Sequence, residues 1–564
     1  MTPTVDQLAH QYLDRISALD PTEASGWGAL GHDRELTDQG PDAEGSRAAL
    51  ARETLAALTL AAVDSHRDQI AASAMRDRLQ VRLEQHEAGE WMRALHLFGP
   101  LNSTRRVFDL MARSSEEEWE GIAERMTKVP NTLASIRATL ETGISRGITS
   151  SRRQVLVSAA QARTFGGDGP RPGYFRQLAA GYLVPADPLG RRLAEMAAAA
   201  DRAYLDMAAY LESGYLSAAV EGDGVGEDLY QLQCRAFNGV TIEAATTYTW
   251  GWEELARIEA EMRATAGRIL PGSSVSETIE LLEDDPSRGI EGAESFRRWN
   301  QGFLEQTVAE LQGRHFDIPE PVCRVEAMLA PAGAGPAMYY TPPASDFSRP
   351  GRTWYPTMGR TKFPLWAEVA TAYHEGVPGH HLQIGHAYWL GDRLNPFQSQ
   401  LGHVSGHVEG WALYAERLMG ELGYLDNPDY YLGMLANQAF RAARVVVDIG
   451  LHLHLTLPAG QPFHPGEAWS FALAVEFMSL KSGRSVDFCH GEVQRYLGMP
   501  AQAISYKLGE RVWLETRAAV QRQLGGGFDL KAFHRRALDL GFVGLEQLRQ
   551  EMTRPGTETE AAPG

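Results

Sequence analysis

The sequence predicts a mainly α-helical protein of two helical lobes, with a short β-sheet just before its most reactive segment. Most segments place apolar residues at helical spacing, as in V-D-Q-L-A-H-Q-Y-L-D-R-I near the start and in the alanine- and leucine-rich stretch Ser46–Ala88. Met338–Thr341 and the R-T-W-Y-P run after the next turn are instead typical of short strands. The prolines around these runs favour an edge position in the sheet. At 564 residues the chain is long enough for a large core or two lobes.

A change of composition divides the chain. Residues 1–329 form mostly helical patterns and contain no residue to which we assign chemistry. The stretch A-P-A-G-A-G-P begins a second lobe, predicted to span residues 330–552 and to carry the candidate site. Residues 553–564 are predicted to form a flexible tail. We expect a deep cleft between the lobes, which would admit only short chains.

Charge and composition exclude several classes of protein. The net charge of −19 argues against nucleic-acid binding, which requires an excess of basic residues on one face. No apolar run of about 18 residues occurs, so no membrane span is predicted. The N-terminus lacks a basic start and an apolar signal core, and the odd number of cysteines does not indicate a disulfide framework. These features predict a cytoplasmic location. They do not indicate an oligomeric state.

The most reactive segment is Tyr373–Gln383, with the sequence Y-H-E-G-V-P-G-H-H-L-Q. A histidine-glutamate pair of this kind opens the helix of many zinc enzymes, where two histidines bind the metal and the glutamate acts as base. The second histidine usually lies four residues after the first, but here that position is Pro378. The second metal ligand must therefore be His380 or His381.

Geometry favours His380. On a straight helix His381 shares a face with His374 but lies about 10 Å further along the axis. That distance is too long for two nitrogens that each bind one zinc ion at about 2.1 Å. Pro378 and Gly379 break the helix, and a kink there would turn His380 toward His374. We predict His374 and His380 as ligands, with His381 as the alternative to His380.

A catalytic zinc needs three protein ligands and one open position. Glu409, in the run H-V-E-G-W-A-L-Y-A-E, is the predicted third ligand, and Gly410 beside it would allow two helices to approach closely. Glu416 shares that face but lies about 10 Å along the helix, so a salt bridge with a basic neighbour suits it better. Glu375 is the predicted general base, which takes a proton from the zinc-activated water.

Three further residues, Arg444, Asp448 and His452, recur every four positions and form one polar stripe on a helix. Asp448 is predicted to orient a ligand imidazole, and His452 to donate a hydrogen bond to the oxyanion. A buried Arg-Asp pair with a core histidine is an equal alternative. Tyr506 is predicted as a transition-state donor, with a core aromatic as its alternative. Lys507 is a candidate for holding a substrate carboxylate, with an ordinary surface lysine as its alternative.

Several motifs resemble the bacterial domain-of-unknown-function 885 family, which is grouped with the zincin metallopeptidases. They are H-E-G-V-P-G-H-H-L-Q, E-G-W-A-L-Y-A-E at 409–416, Y-Y-T-P-P at 339–343, R-V-V-V-D-I-G-L-H at 444–452, P-A-Q-A-I-S-Y-K-L-G at 500–509 and, near the start, L-D-P-T-E-A-S-G-W-G at 19–28. The resemblance implies a large multi-helix zincin-like fold and a zinc-dependent hydrolase. It does not imply a particular substrate.

The sequence therefore predicts a zinc metallopeptidase that cleaves short peptides. One alternative is a zinc hydrolase of a non-peptide amide or a specialised metabolite, and another is a helical binding protein without catalytic activity. A short peptide or small amide is the expected substrate, and neither nucleic acid nor a membrane is an expected partner. His381, Asp448, Arg444, Tyr340 and Lys507 are assigned to positions that support the ligands or contact substrate.

Overall fold

The computed structural model describes residues 2–29, 31–167, 169–331 and 338–555. Helices dominate these residues, and the few strands form two small sheets, which confirms the mainly α-helical class. The chain divides into two compact units. The first contains the described residues of Met1–Asp68, Met75–Leu232 and His490–Pro500, and the second contains those of Gln69–Ala74, Gln233–Cys489 and Ala501–Gly564.

The predicted lobe boundary between residues 329 and 330 falls inside the second unit, so residues 233–329 belong to the same unit as the candidate site. Pairing of a strand before that boundary with one after it accounts for this, because residues 325–329 and 351–355 lie side by side in one sheet. Most of the predicted tail, residues 556–564, lies outside the described residues.

Capping residues set where many helices of the first unit begin. Thr4, Ser65 and Ser115 each accept a hydrogen bond from the N–H three residues on, and the side chain at that third position returns the bond. The helices of this unit are α1 Val5–Leu19, α2 Pro21–Trp27, α3 Pro41–Leu58, α4 His66–Glu87, α5 Pro100–Arg106, α6 Glu116–Met126, α7 Val129–Arg146, α8 Arg152–Gly166, α9 Tyr174–Ala179 and α10 Pro188–Tyr210. Part of α4 belongs to the second unit.

The second unit contains the longest helix and all the strands. Two helices, α11 Glu227–Asn238 and α20 Val486–Gly498, each contribute residues to both units. The remaining helices are α12 Ala244–Ile269, α13 Val275–Asp284, α14 Ala293–Leu311, α15 Glu368–Glu375, α16 His380–Leu390, α17 Ser405–Glu421, α18 Pro428–His452, α19 Phe471–Ser482, α21 Ser505–Leu524, α22 Leu530–Leu538 and α23 Leu545–Thr553. Short 3-10 or π turns lie at Glu90–Arg93, Val107–Leu110, Leu211–Tyr215, Leu216–Ala218, Pro286–Arg288, Glu320–Cys323, Gly391–Arg393, Phe397–Leu401 and Gly525–Gly527.

The two sheets lie ahead of the reactive segment in the chain. Strands β1 Gly289–Glu291 and β5 Lys362–Pro364 form an antiparallel pair. Strands β2 Val325–Leu329, β3 Tyr339–Thr341 and β4 Gly351–Tyr355 form the other sheet in the order β2-β4-β3, with β2 parallel and β3 antiparallel to β4. Both predicted strands are therefore present. The R-T-W-Y-P strand is central and not at an edge, because its prolines lie just outside β4 and every residue within it can donate to the ladder.

Close helix packing positions the candidate site. Helix α15 packs against α17 and α18, and α17 packs along α21. A Cβ atom on Gly410 would lie 2.4 Å from the Cα atom of Gly509, so these two helices meet backbone to backbone. The close approach expected at Gly410 is therefore observed, and it brings the start of α21 next to the residue that precedes Gly410.

Candidate metal centre

The helix predicted through the reactive segment is interrupted between α15 and α16. A Cβ atom on Gly379 would lie 2.0 Å from the carbonyl oxygen of His374, so only glycine fits there. The indole N–H of Trp411 donates to the carbonyl oxygen of Pro378 at 2.8 Å and fixes the interruption to α17. The break predicted at Pro378 and Gly379 is present, and it sets the direction in which α16 leaves.

The break brings three potential ligands together. The Nε2 atom of His374 lies 3.3 Å from Oε2 of Glu409, and Nε2 of His380 lies 3.5 Å from the same oxygen. The ligand atoms of the three residues all lie within 4.8 Å of one another. Tetrahedral zinc, with bonds of about 2.0–2.1 Å, holds its ligand atoms about 3.3 Å apart. The two separations from Glu409 are therefore close to those in a zinc site, and the ligand nitrogens of the two histidines lie within 4.8 Å of each other.

The exposure of these side chains is uneven. His374 and His380 are buried, whereas the side chain of Glu409 is 22 % exposed. The candidate centre is thus buried on the side of the two histidines and accessible to solvent on the side of Glu409. A site that keeps one position open to solvent or substrate is what distinguishes a catalytic zinc centre from a structural one.

The second nitrogen of His374 is held by Glu416, at 2.7 Å from Nδ1 to Oε1. Glu416 is fully buried, and the nearest nitrogen of Arg441 lies 3.9 Å from its carboxylate. This contact directs Nε2 of His374 toward Glu409, the usual arrangement behind a metal-binding histidine. Sequence reasoning assigned this orienting role to Asp448 and gave Glu416 only a salt bridge. That assignment is corrected, because Glu416 occupies the orienting position.

The electrostatics of the cluster are strongly coupled. Burial lowers the pKa of His374, but the hydrogen bonds to Glu409 and Glu416 outweigh it and raise that pKa to about 9. Burial raises the pKa of Glu409, but the two histidines hold that pKa well below its usual range. The carboxylate of Glu409 is therefore ionised at neutral pH, the form in which it binds a metal.

His381 is engaged elsewhere. Its Nε2 lies 2.7 Å from the carbonyl oxygen of Val322, and its Nδ1 lies 3.0 Å from the hydroxyl of Tyr340. A carbonyl can only accept, so Nε2 donates and Nδ1 accepts from the tyrosine. Burial lowers the pKa of His381 to about 4, which keeps the ring neutral. With both nitrogens used, His381 links α16 to the sheet, and the geometry favours His380 as the second ligand.

Glu375 is the last residue of α15 and directly follows His374. Its side chain is buried, and within the described parts of the chain its carboxylate makes no hydrogen bond or ion pair. The structure thus places a buried carboxylate, without a competing partner among those residues, directly after the first candidate ligand in the chain. This is the position expected of a group that accepts a proton from a water molecule in the centre.

Tyr506 lies against His374, and two arginines lie over the Tyr506 ring. The ring of Tyr506 stacks on His374 with centroids 6.3 Å apart and an angle of 20°. The guanidinium carbons of Arg441 and Arg444 lie 5.3 and 4.8 Å from the centre of the Tyr506 ring. The structure therefore brings Tyr506 and Arg444 to the site as predicted. Arg441 was missed, although its place one helical turn before Arg444 was a usable signal.

Asp448 and His452 form a buried pair further along α18. Nε2 of His452 lies 3.8 Å from Oδ1 of Asp448, and the other carboxylate oxygen accepts from the N–H of Ala501 at 2.9 Å. Both side chains have no exposed surface. These contacts resemble the alternative of a buried acid with a core histidine. Of the two predicted transition-state donors, Tyr506 is the one that the structure places against a candidate ligand.

Lys507 does not serve as a substrate anchor. Its ammonium group donates to Glu254 at 2.8 Å, to Gln438 at 2.7 Å and to Glu510. Three acceptors use all three ammonium protons, and the side chain is 2 % exposed. Lys507 therefore joins α12, α18 and α21 inside the unit, which corrects both its assignment to a substrate carboxylate and its alternative as a surface residue.

Fold and site together define a mainly helical protein with a candidate centre of two histidines and a glutamate. Residues 21–552 match the family described as "Bacterial protein of unknown function (DUF885)", so the chain belongs to that family. No curated protein matches the chain. In the described part of the chain, no helix has the length and apolar content needed to span a bilayer.

Two solved structures have the same fold. One is described as a putative lipoprotein from Colwellia psychrerythraea, with a TM-score of 0.82, 22 % identity and coverage of 98 % of this chain and 99 % of that one. The other is described as a putative lipoprotein of unknown function from Shewanella oneidensis, with a TM-score of 0.73, 17 % identity and coverage of 98 % and 100 %. The predicted cytoplasmic location is wrong by this comparison, because both neighbours are described as lipoproteins, and we withdraw it.

Proposed function

We propose that the protein is a zinc-dependent hydrolase with a zincin-like catalytic fold and His374, His380 and Glu409 as its metal ligands. The observation that carries this proposal is the spacing of 3.3 and 3.5 Å between the two imidazole nitrogens and one carboxylate oxygen. Two imidazoles and one carboxylate are a common ligand set for catalytic zinc and leave the fourth position for water or substrate.

Zinc bound there would lower the pKa of a water ligand and polarise the carbonyl group of a substrate. Residues of the chain would transfer the proton, stabilise the developing charge and orient the ligand. Glu375 takes the proton from the attacking water and passes it to the leaving amine. The phenol of Tyr506 donates to the carbonyl oxygen as negative charge develops on it. Glu416 holds the imidazole of His374 in the orientation that ligation requires.

The substrate class that we propose is short peptides, cleaved in a deep cleft of the zincin-like fold. The partly exposed Glu409 supports access from one side, since the two histidine ligands are buried. Strand β3 lies at the edge of its sheet, and Tyr340 on that strand contacts His381 directly after the second ligand. An extended peptide laid along that edge would pass close to the centre.

Metal analysis and peptide digestion test this proposal together. Purified protein should hold about one zinc ion per chain, as a single catalytic site requires. It should cleave members of a short-peptide library, lose that activity to a chelator and regain it when zinc is returned. Protein that holds no zinc and gains none on addition would overturn the proposal. Zinc-loaded protein that cleaves no peptide would retain the metal centre and exclude peptides as substrates.

A further inference from the structure

Arg441 has hydrogen-bonding capacity that the fold does not use. Its side chain is 12 % exposed. Across the described ranges, its single hydrogen bond runs from Nη1 to the carbonyl oxygen of Asn437 at 3.3 Å, one turn back on the same helix. Its Nε atom is buried without a partner in the same set of residues. A guanidinium carries five N–H donors, so most of the capacity of Arg441 is available to a ligand.

An ion pair with Glu416 does not use the hydrogen-bonding capacity of Arg441. The nearest nitrogen of Arg441 lies 3.9 Å from Oε1 of Glu416, whereas a charge-assisted hydrogen bond measures about 2.7–2.9 Å. Among the residues that the structure describes, the other oxygen of Glu416 has no hydrogen-bond partner, yet the guanidinium does not turn to it. Arg441 therefore lies near Glu416 without a direct hydrogen bond to it.

A second guanidinium lies on the same face of α18. Arg444 follows Arg441 by three residues, and both lie over the Tyr506 ring, with guanidinium carbons 4.8 and 5.3 Å from its centre. Stacking on an aromatic face holds a guanidinium in place. Since the Tyr506 ring also stacks on His374, this arginine pair lies one aromatic ring away from the candidate metal ligands.

We propose that Arg441 binds the free carboxylate of the substrate, which makes the substrates short peptides or N-acyl amino acids cut close to their C-terminus. This inference rests on the proposed zinc hydrolase function. A guanidinium matches a carboxylate with two parallel hydrogen bonds, a geometry that lysine does not offer. The centre of the Tyr506 ring lies 6.3 Å from that of His374 and 5.3 Å from the guanidinium carbon of Arg441. Arg441 is therefore at most about 12 Å from the His374 ring, a gap that about three residues beyond the scissile bond would span at about 3.8 Å each.

The test compares a carboxylate with its uncharged counterpart. Zinc-loaded protein is titrated calorimetrically with N-(mercaptoacetyl)phenylalanine and with the carboxamide of the same compound. The thiolate of each compound binds zinc, and they differ only at the C-terminal group. Wild type should bind the acid about 10- to 100-fold more tightly, the range for hydrogen bonds to a charged group. Hydrolysis of matched peptides with free and amidated C-termini should show the same preference in kcat/KM.

Variants separate recognition from structure. Arg441→Gln should remove most of the preference for the acid and leave binding of the carboxamide unchanged, while Arg441→Lys should restore part of the preference. Arg417→Gln is the matched control, because that arginine lies on α17 and pairs with Glu261 at 3.1 Å. It should keep the full preference. If Arg441 had only a structural role, Arg441→Gln would weaken the binding of both compounds equally.

The outcomes distinguish the inference from the function on which it rests. If wild-type protein holds zinc and binds acid and carboxamide equally, the carboxylate subsite is wrong and the zinc hydrolase stands. If the protein holds no zinc and binds neither compound, the proposed function fails, and the inference fails with it. The comparison within wild type needs no variant, so it remains decisive if Arg441→Gln does not fold.

Discussion

The two compact units bury charged side chains in different ways. In the first unit Arg125 has no exposed surface, and it donates to the carbonyl oxygens of Glu35 at 2.8 Å and His32 at 3.2 Å. Asp201, equally buried, accepts from the N–H of Phe175 at 3.0 Å. Both residues therefore bind the main chain of segments that are distant in sequence. Such contacts fix loops and helix ends.

In the second unit the buried groups face one another. His374 and His380 both approach one oxygen of Glu409, and Glu416 holds the first histidine from behind. Among the described residues of the first unit, no comparable group of three metal-ligating side chains occurs. A buried charge that binds the main chain stabilises the fold. Titratable groups that converge on a shared point mark a candidate functional site.

The largest expected effect separates the adjacent histidines of α16. His380→Ala should lower bound zinc by at least about tenfold and abolish hydrolysis, because two ligands hold zinc far less tightly than three. His381→Ala is the matched control and should keep its zinc, since its ring nitrogens bind Val322 and Tyr340. Metal analysis after dialysis measures both. Zinc lost from His381→Ala and kept by His380→Ala would reverse the ligand assignment.

The next effect concerns Glu375, which lies beside the cluster without ligating it. Glu375→Gln should retain zinc, because all three ligands remain. The rate of hydrolysis should fall by about 10² to 10⁴, the usual scale for a lost general base. Steady-state kinetics and metal analysis on the same sample check both statements. Zinc lost together with activity would make Glu375 a structural residue, and unchanged activity would remove it from the mechanism.

A smaller effect is expected from the residue behind His374. Glu416→Gln keeps a hydrogen-bond acceptor near Nδ1 but removes the charge, so zinc affinity should fall by about 10- to 100-fold. Competition with a chromophoric chelator measures it. Glu421→Gln is the control on the same helix, where the carboxylate pairs with Arg517 at 2.9 Å. Equal zinc affinity in wild type and Glu416→Gln would show that the contact is unrelated to metal binding.

The smallest effect tests the first unit and concerns pH. Burial raises the pKa of Asp201 from 3.8 to about 6, although the N–H groups of Phe175 and Arg176 oppose the shift. The folded state therefore holds this proton more tightly than the unfolded state, and the free energy of unfolding falls as pH rises from about 4 to 6. The loss is about 2–3 kcal/mol at most.

Asp201→Asn removes that dependence. The melting temperature of the variant, relative to wild type, should rise between pH 4 and pH 7, while its zinc content stays the same. Thermal unfolding at several pH values measures this, with Asp206→Asn as the control at an exposed position of the same helix. A relative stability that does not change with pH would show that Asp201 is ionised in the folded protein throughout this range.

The sequence was sufficient for the helical class and for the direction of the helix break. Pro378 and Gly379 identify the break, and the position of Gly379 against the His374 carbonyl explains why glycine is needed. The axial distance of about 10 Å separated Glu416 from Glu409, and in the structure the two carboxylates contact different nitrogens of His374. It did not predict that one imidazole would lie between the two carboxylates and contact both.

Contacts between distant parts of the chain were not predictable. Lys507 donates a hydrogen bond to Glu254, although more than half of the second unit's sequence separates them. Nothing in the local sequence of either residue indicates the other as its partner. The same holds for the pairing of strands Val325–Leu329 and Gly351–Tyr355. That pairing places the predicted boundary between residues 329 and 330 inside the second unit. Local patterns determine helices and kinks, whereas such partners depend on the packing of the whole unit.

The glycine contact between α17 and α21 gives the centre a fixed dimension. Glu409 directly precedes Gly410, and Tyr506 lies one turn before Gly509, so the candidate ligand carboxylate and the phenol are each anchored beside the point where the backbones touch. Any side chain at either glycine would act as a wedge and widen the gap between these two groups together. The separation of Glu409 from Tyr506 therefore depends on two residues that have no functional groups of their own.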